Sequence, residues 1–445
     1  MGLRFFRINH SADGVLSRSE CGKKWPFPSP NALIASCFLL YTAMMAAKGV
    51  FLAEIAYLME VFSVDKATAS LANTYYFVAY AGVQVLLFFI VKRINLQKFL
   101  KITVPIAAVA TVFMGFSREI SDMYVLFAVC GVFQAGIYCG CNATLTKYLP
   151  SRFLSRANSV MNLGYAAGTV VAYVFSAACV RFTLWRVPFF VMGGLLLLAV
   201  AFFGICVAGA HKIKAFDEYE TEESKGAETS LLEERPFITL EKKGSKALFY
   251  AVDLLLVFFI TCLYYAINNW ISTLLVDVYK MDQDVSIYIT ILAPTLIALG
   301  PMMTIRYCDK HRDFVRAGLV YLCAALPIPF LLAFFYDKNV IFAFVLSVIY
   351  IIAVNGVKAI TLSIIAFKLR CVVNTAEYTA ISNAIASLAG GLAPTIIGKI
   401  IDSHGWSASY FSVFGVTLGV VLVLIVVDTI VRKNDKSKQM FTQKI

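Results

Sequence analysis

Twelve apolar segments, each long enough to cross a lipid bilayer, constrain this chain more than any other feature of its sequence. A membrane-spanning helix needs about 20 predominantly apolar residues. Strands are excluded, because an open sheet would leave backbone groups unpaired in lipid. The sequence therefore predicts an all-α polytopic membrane protein with twelve transmembrane helices. The predicted spans are 31–59, 67–91, 99–117, 122–147, 155–180, 186–210, 247–275, 284–306, 315–336, 339–368, 375–401 and 407–431.

The composition excludes other classes of protein. Hydrophobic residues make up 60% of the chain and charged residues only 15%, against roughly 25% charged in a soluble domain. The 11 cysteines lie scattered in apolar runs without CxxC pairs, and the 4 histidines fall outside the spans. We therefore expect no disulfide framework, no metal site and no cofactor. An enzyme is disfavoured as well, because no His/Cys/Asp cluster occurs within the spans.

The net charge of +12 reflects how the chain is oriented in the membrane. Alternate loops and tails hold 30 of the 39 basic residues on one side, and the opposite side holds 7. The positive-inside rule then places both termini in the cytoplasm, and no nucleic-acid partner is needed to explain the charge. Residues 1–30 form a basic tail with no apolar run, unlike a cleaved signal peptide. The expected location is a cell membrane, inner or plasma, in preference to an organelle membrane.

The chain divides into two six-helix halves that repeat each other. A shift of 221 residues superposes Asn162 on Asn383 and Trp185 on Trp406. Two parallel repeats around a central pathway are a plan of secondary transporters. The predicted domains are a cytoplasmic tail (1–30), a six-helix bundle (31–210), a charged cytoplasmic linker (211–246), a second six-helix bundle (247–431) and a cytoplasmic tail (432–445).

Several stretches resemble the major facilitator superfamily. The strongest is GGLAPTIIGKIIDSHGWSASYF (390–411), with a fainter copy that ends in LWRVPFF. The loop RYCDKHR (306–312) is similar to the charged loop of that family, whereas VKRINLQK (91–98) lacks its glycines and acid. The resemblance implies the major facilitator fold, with spans 1, 4, 7 and 10 around a central cavity.

The first span also resembles, in part, the organophosphate:phosphate antiporters. Its run Tyr41, Lys48, Phe51, Tyr57 and Leu58 has Lys48 where those antiporters carry a phosphate-gripping Arg. Two of the three signature binding positions differ, since this chain has Tyr264 in place of a second Arg and Tyr165 in place of a His.

Two lysines lie within spans. Lys48 is slightly past the centre of the first span and Lys358 is near the centre of the tenth. A lysine at mid-bilayer costs roughly 2.5 to 3.5 kcal/mol, so it must face a cavity or a partner. Two cations at one cavity would bind an anion. Alternatively, Glu54 or Asp253 neutralises Lys48, or a lysine extends to the interface.

Other polar residues recur on the same four helices. They suit a polar solute, or they hold helices together. We predict substrate binding by Lys48 and Lys358 together with Tyr41, Gln134, Tyr138, Tyr265, Asn268, Asn269 and Asn355. The acidic candidates for coupling or gating are Glu54, Asp253 and Asp309.

The sequence thus predicts a monomeric secondary active transporter of a small organic anion, a phosphate ester or carboxylate, that works by alternating access. A proton or a counter-anion is the candidate coupling partner, and the lipid bilayer is the solvent. One alternative is a proton-coupled exporter of amphipathic or cationic compounds that uses Glu54. The other is a transporter-derived receptor or scaffold that acts through 211–246.

Overall fold

The computed structural model describes residues 29–90, 93–149, 151–212, 243–297, 299–311, 314–364 and 375–442, and for some residues in these ranges it describes the backbone alone. This part of the chain is helical throughout, with no strand. The tail up to residue 28 and most of the predicted linker, 213–242, lie outside the described residues.

The N-terminal helices carry the first six predicted spans. Ser29 caps the first helix by accepting a hydrogen bond from the backbone N–H of Ala32, and Pro30 opens it, as expected of a helix start. The helices are α1 (Pro30–Phe62), α2 (Lys66–Ile90), α3 (Leu96–Met114), α4 (Ile120–Gln134), α5 (Ile137–Tyr148), α6 (Ser151–Val180) and α7 (Val187–Lys212).

The C-terminal helices are more often interrupted. They are α8 (Lys243–Asn268), α9 (Ile271–Tyr279), α10 (Gln283–Thr290), α11 (Leu292–Ile297), α12 (Leu299–His311), α13 (Phe314–Ala325), α14 (Pro327–Phe335), α15 (Val340–Ala359) and α16 (Thr375–Thr442). A π-helical turn, Ile360–Ile364, continues α15.

The helices differ from the predicted spans in three ways. The fourth, seventh, eighth and ninth spans are not single helices, because each contains a break. The helix of the seventh span begins at Lys243, before the predicted start at residue 247. The helix of the twelfth span runs on to Thr442, beyond the predicted end at residue 431.

Ten helical segments of the described chain are long and apolar enough to cross a membrane. One of them, Ile381–Thr429, has 49 residues, about twice the length that one crossing requires. The segment α2 is not among the ten, although it is 25 residues long. Polar residues along it, such as Asn73, Thr74 and Gln84, lower its hydropathy.

Gly405 divides the long helical run α16. Its φ of 82° and ψ of 174° belong to a backbone region that only glycine occupies without strain. The chain can therefore leave one helix and start the next within a single residue, at the loop between the two predicted spans.

Small residues allow the helices to approach closely. A Cβ on Gly168 would lie 2.4 Å from the carbonyl oxygen of Thr42, and one on Gly391 would lie 2.9 Å from the Cβ of Phe77. These glycines therefore permit α6 to pack on α1 and α16 on α2, the two most extensive helix pairs. Small residues at helix interfaces serve this purpose in membrane proteins generally.

We predict that Gly405→Ala destabilises the folded protein by about 1 to 3 kcal/mol, because alanine would be strained at this φ and ψ. The measurement is the thermal unfolding midpoint of the purified protein in detergent. Gly415→Ala and Gly419→Ala are matched controls, since a Cβ at either helical position meets no atom within 4 Å. An unfolding midpoint in Gly405→Ala equal to that of the controls would contradict the prediction.

Candidate functional site

The ammonium group of Lys48 lies against aromatic rings in the middle of the molecule. Its Nζ is 4.0 Å from the centroid of the Phe77 ring and 5.0 Å from that of Tyr76. Both rings belong to α2, beside the helix α1 that carries the lysine. The lysine is 9% exposed. Such cation–π contacts contribute about 0.5 to 2 kcal/mol each.

Lys358 has the same kind of environment among the C-terminal helices. Its Nζ lies 4.5 Å from the centroid of Tyr264 and 5.1 Å from that of Tyr265. These two rings come from α8, as Tyr76 and Phe77 come from α2. Lys358 is half-buried. Each half of the chain thus supplies one lysine and one pair of adjacent rings.

An aromatic contact joins the two lysine sites. Phe77 and Tyr265 pack edge to face with their centroids 5.4 Å apart. Gly390 lies against both rings, since a Cβ there would be 2.8 Å from Tyr265 and 3.3 Å from Phe77. The two lysines, on α1 and α15, are therefore connected through ring contacts, and their positive charges repel each other. We call Lys48, Lys358, Tyr76, Phe77, Tyr264 and Tyr265 the two-lysine site.

The alternative that a carboxylate neutralises Lys48 is not supported. Within the described part of the chain, neither Lys48 nor Lys358 forms an ion pair. Both carboxylate oxygens of Glu54 and of Asp253 are buried and have no hydrogen-bond partner there. Ring faces offset only part of the cost of burying an ammonium group, so an anion would be a stronger partner for either lysine.

The predicted amide ligands are already hydrogen-bonded within the protein. Gln134 Oε1 accepts from the hydroxyl of Tyr76 at 2.9 Å. Asn355 Nδ2 donates to the carbonyl oxygen of Ile297 at 3.2 Å. Asn268 Nδ2 donates to Asn269 Oδ1 at 3.4 Å, while Asn269 Nδ2 is buried without a partner among the described residues. The structure thus gives Gln134 and Asn355 contacts that hold helices together.

The predicted tyrosines lie near the lysines. Tyr41 and Tyr138 pack with their centroids 5.2 Å apart, which brings α1 and α5 together. Tyr138 is half-buried, and Tyr265 belongs to the two-lysine site itself. The half-buried rings of Tyr80 and Tyr165 are also close to Tyr41. Phenol rings therefore dominate the space beside the lysines.

The acidic candidates do not join the two-lysine site. Glu54 is fully buried and faces the Ser176 hydroxyl without hydrogen-bond geometry. Asp253 is 3% exposed and lines a separate cavity of about 40 Å³ whose other walls are mostly apolar. The side chain of Asp309 lies outside the described residues.

Contacts between the two halves concentrate on one side of the two-lysine site. Pro394 has no N–H, so the carbonyl oxygen of Gly390 loses its usual helical partner. Asn73 Nδ2 donates to that oxygen at 3.3 Å. At the next residue of each helix, the Thr74 hydroxyl donates to the carbonyl oxygen of Gly391 at 2.7 Å. These contacts join α2 to α16.

Ion pairs also join the two halves on the same side, at the ends of the helices. Lys66 Nζ lies 2.9 Å from Asp277 Oδ2 and 3.5 Å from Asp402 Oδ1, and the backbone N–H of Ala67 donates to Asp402. Gln283 Nε2 donates to Glu60. We call the surface formed by loops 63–65, 280–282 and 402–405 the Lys66 face. It is the side that carries few basic residues.

Sequence reasoning missed the ring partners of the lysines. Asn73, Tyr76 and Gln84 lie along α2, and Asn73 contacts α16. The Tyr76 hydroxyl instead bonds Gln134 of α4, and Gln84 donates to the carbonyl oxygen of Ala135, where α4 breaks. The adjacent pairs Tyr76–Phe77 and Tyr264–Tyr265 could have been found in the sequence as neighbouring aromatic residues in spans 2 and 7.

These features define a polytopic membrane protein with a central site between two sets of helices. The family model of the Major Facilitator Superfamily matches residues 37–370. The chain therefore belongs to the major facilitator superfamily, a superfamily of secondary transporters. No curated protein matches the chain in sequence.

Solved structures share the fold over nearly the whole chain. A bacterial homolog of the human lysosomal transporter Spinster, in an inward-facing and occupied conformation, has a TM-score of 0.69 at 16% identity and covers 93% of this chain and 98% of its own. The nucleoside transporter NupG has a TM-score of 0.65 at 14% identity, with 88% and 98% covered. A POT family transporter in complex with 5-aminolevulinic acid has a TM-score of 0.68 at 11% identity, with 92% and 98% covered. Identities this low establish the fold alone.

We predict that Asp402→Ala loosens the Lys66 face, because it removes an ion-pair partner of Lys66 and the acceptor for Ala67. A cysteine in place of Ser70, which is buried at the α2–α16 interface, should react with a maleimide about 1.4- to fivefold faster in that background. This is the change expected from the loss of about 0.2 to 1 kcal/mol for a partly exposed ion pair. Asp337→Ala is the matched control, since Asp337 pairs only with the neighbouring Lys338. Equal labelling rates in Asp402→Ala and Asp337→Ala would contradict the prediction that the contacts of Asp402 hold the Lys66 face closed.

Proposed function

We propose that this transporter carries a small organic anion, a phosphate ester or carboxylate, by alternating access. The observation that supports it is the two-lysine site. Two ammonium groups, one from each half, lie near the middle of their predicted spans. Within the described residues their partners are ring faces and not carboxylates. An anion between them would neutralise charge on both halves at once.

The architecture that goes with this proposal has twelve spans in two six-helix bundles, 31–210 and 247–431, joined by the linker 211–246. The ten apolar helices reach twelve when α2 is included and Ile381–Thr429 is divided at Gly405. The positive-inside rule places the Lys66 face outside and both termini inside. The test of this orientation is labelling of cysteines introduced on the Lys66 face. A membrane-impermeant thiol reagent should label them when it is added outside intact cells.

In this orientation the described contacts seal the outer side. Among the described residues, the ion pairs and the amide and threonine hydrogen bonds between the two halves lie at the level of Gly390 or nearer to the Lys66 face, while Tyr165 and Tyr264 face each other beside Lys358. The conformation described here would therefore be open, or more weakly closed, towards the cytoplasm. Transport would require the Lys66, Asp277 and Asp402 contacts to separate while contacts form on the opposite side.

The lysines give the decisive test. Lys48→Ala and Lys358→Ala should each lower uptake of radiolabelled anions into proteoliposomes by at least about tenfold, because a hydrogen bond between charged partners contributes about 1.5 to 3 kcal/mol. The panel includes phosphate, benzoate and phenyl phosphate. Lys147→Ala is a matched control, since Lys147 is exposed and lies over the ring of Tyr148, 5.3 Å from its centroid. Uptake by both variants at the parent rate, in monodisperse protein, would overturn the anion site.

A second candidate is proton-coupled export of amphipathic or cationic compounds. It is favoured by one observation, the fully buried Glu54, which has no partner in the described chain. An unpaired carboxylate is costly at such a position, so Glu54 is expected to hold a proton in this state.

If Glu54 couples protons to transport, Glu54→Gln should abolish the response to an imposed proton gradient while exchange without a gradient continues. The measurement is gradient-driven flux in proteoliposomes. Asp253→Asn is the comparison, because Asp253 is a second buried carboxyl group remote from α1. A gradient response in Glu54→Gln equal to that of the parent would remove Glu54 from coupling.

A further inference from the structure

The space around the two lysines is bounded by ring faces. Lys48 lies over Tyr76 and Phe77, Lys358 lies over Tyr264 and Tyr265, and Phe77 contacts Tyr265. An anion that reaches both ammonium groups has to displace them from these faces or lie beside them. In either case the body of the anion comes to rest against aromatic carbon.

Three of the four amides that could recognise a polyhydroxylated body are engaged elsewhere. Gln134 holds Tyr76, Asn355 holds the carbonyl oxygen of Ile297, and Asn268 donates to Asn269. A sugar phosphate in this site would depend on Asn269 Nδ2 and on tyrosine hydroxyls for its hydrogen bonds. Each buried hydroxyl left without a partner would weaken binding substantially.

Ring faces suit a planar ligand in another way. Aromatic pairs gain from offset or edge-to-face contact beyond the area that they bury. Tyr41 and Tyr138 add two more rings from the N-terminal half, with centroids 5.2 Å apart. A flat ring attached to the anionic group could therefore contact rings of both halves while its charge lies near the lysines.

We propose that the transported anion carries a planar aromatic or heteroaromatic ring next to its carboxylate or phosphate, and that Phe77 and Tyr265 select for that ring. The inference rests on the anion-transport function proposed above and names its substrate class. It disfavours sugar phosphates and other polyol anions.

The first measurement compares three probes with a single carboxylate. Benzoate has a planar ring, cyclohexanecarboxylate has a saturated ring of similar size, and gluconate has hydroxyl groups. Competition against uptake of radiolabelled benzoate in proteoliposomes should rank them in that order. Benzoate should compete about two- to tenfold better than cyclohexanecarboxylate, which is the range expected for one aromatic pair. Phenyl phosphate and glycerol phosphate form the corresponding pair for a phosphate group.

The second measurement repeats the comparison in ring variants. Phe77→Leu and Tyr265→Leu keep apolar volume and both lysines. Each should therefore lower the ratio of competition by benzoate to competition by cyclohexanecarboxylate towards one. Phe189→Leu is the matched control, because Phe189 is a buried ring of α7 that packs against Trp185. It should keep the parent preference. Size-exclusion profiles establish that each variant is folded.

The outcomes separate this inference from the function on which it rests. Uptake that depends on Lys48 and Lys358 but shows equal competition by benzoate and cyclohexanecarboxylate, or stronger competition by gluconate, would overturn the ring preference alone. A preference that persists unchanged in both Phe77→Leu and Tyr265→Leu would also overturn it. Anion uptake that is insensitive to both lysines would overturn the proposed function itself.

Discussion

Lipid offers no hydrogen bonds, so every backbone group released by a helix break must find a partner within the protein. The structure meets this constraint with side chains from neighbouring helices. Asn73 satisfies the Gly390 carbonyl that Pro394 releases, and Gln84 satisfies Ala135 where α4 ends. Trp270 Nε1 donates to the carbonyl oxygen of Pro394. The breaks are therefore the points at which helices are joined, and the amide side chains of the spans serve them first.

Neither of the two lysines has a charged partner among the described residues. A charge within a span is normally matched by an opposite charge or a cavity. Lys48 and Lys358 contact ring faces instead. A ring face is a weaker partner than a carboxylate, and it does not neutralise the charge of an ammonium group. Because the rings belong to the same half as their lysine, each lysine can remain on its ring pair when the halves move. The positive charge thus stays available to a mobile anion.

The sequence predicted what depends on composition and period. The apolar spans follow from hydropathy, and the choice of Lys48 and Lys358 as candidate site residues follows from the cost of charge in lipid. The partners of the polar residues did not follow. Gln134 and Asn355 had the spacing of pathway ligands, yet they bond Tyr76 and Ile297. Periodicity assigns a residue to a helix face, whereas its partner depends on where a neighbouring helix breaks, and breaks such as those near Ala135 and Asn269 carry no proline.

The same contacts bear on the choice between an anion and a cation as solute. A cationic compound in the central space would meet two ammonium groups and no carboxylate of the described chain. Glu54, the acid nearest to Lys48 in sequence, is sealed between α1 and α6 on the side of the Lys66 face. A cation that paired with Glu54 would have to enter the interface between α1 and α6, where Glu54 is fully buried. An anion could instead meet Lys48 and Lys358 on their ring faces, where neither lysine has an ion-pair partner among the described residues.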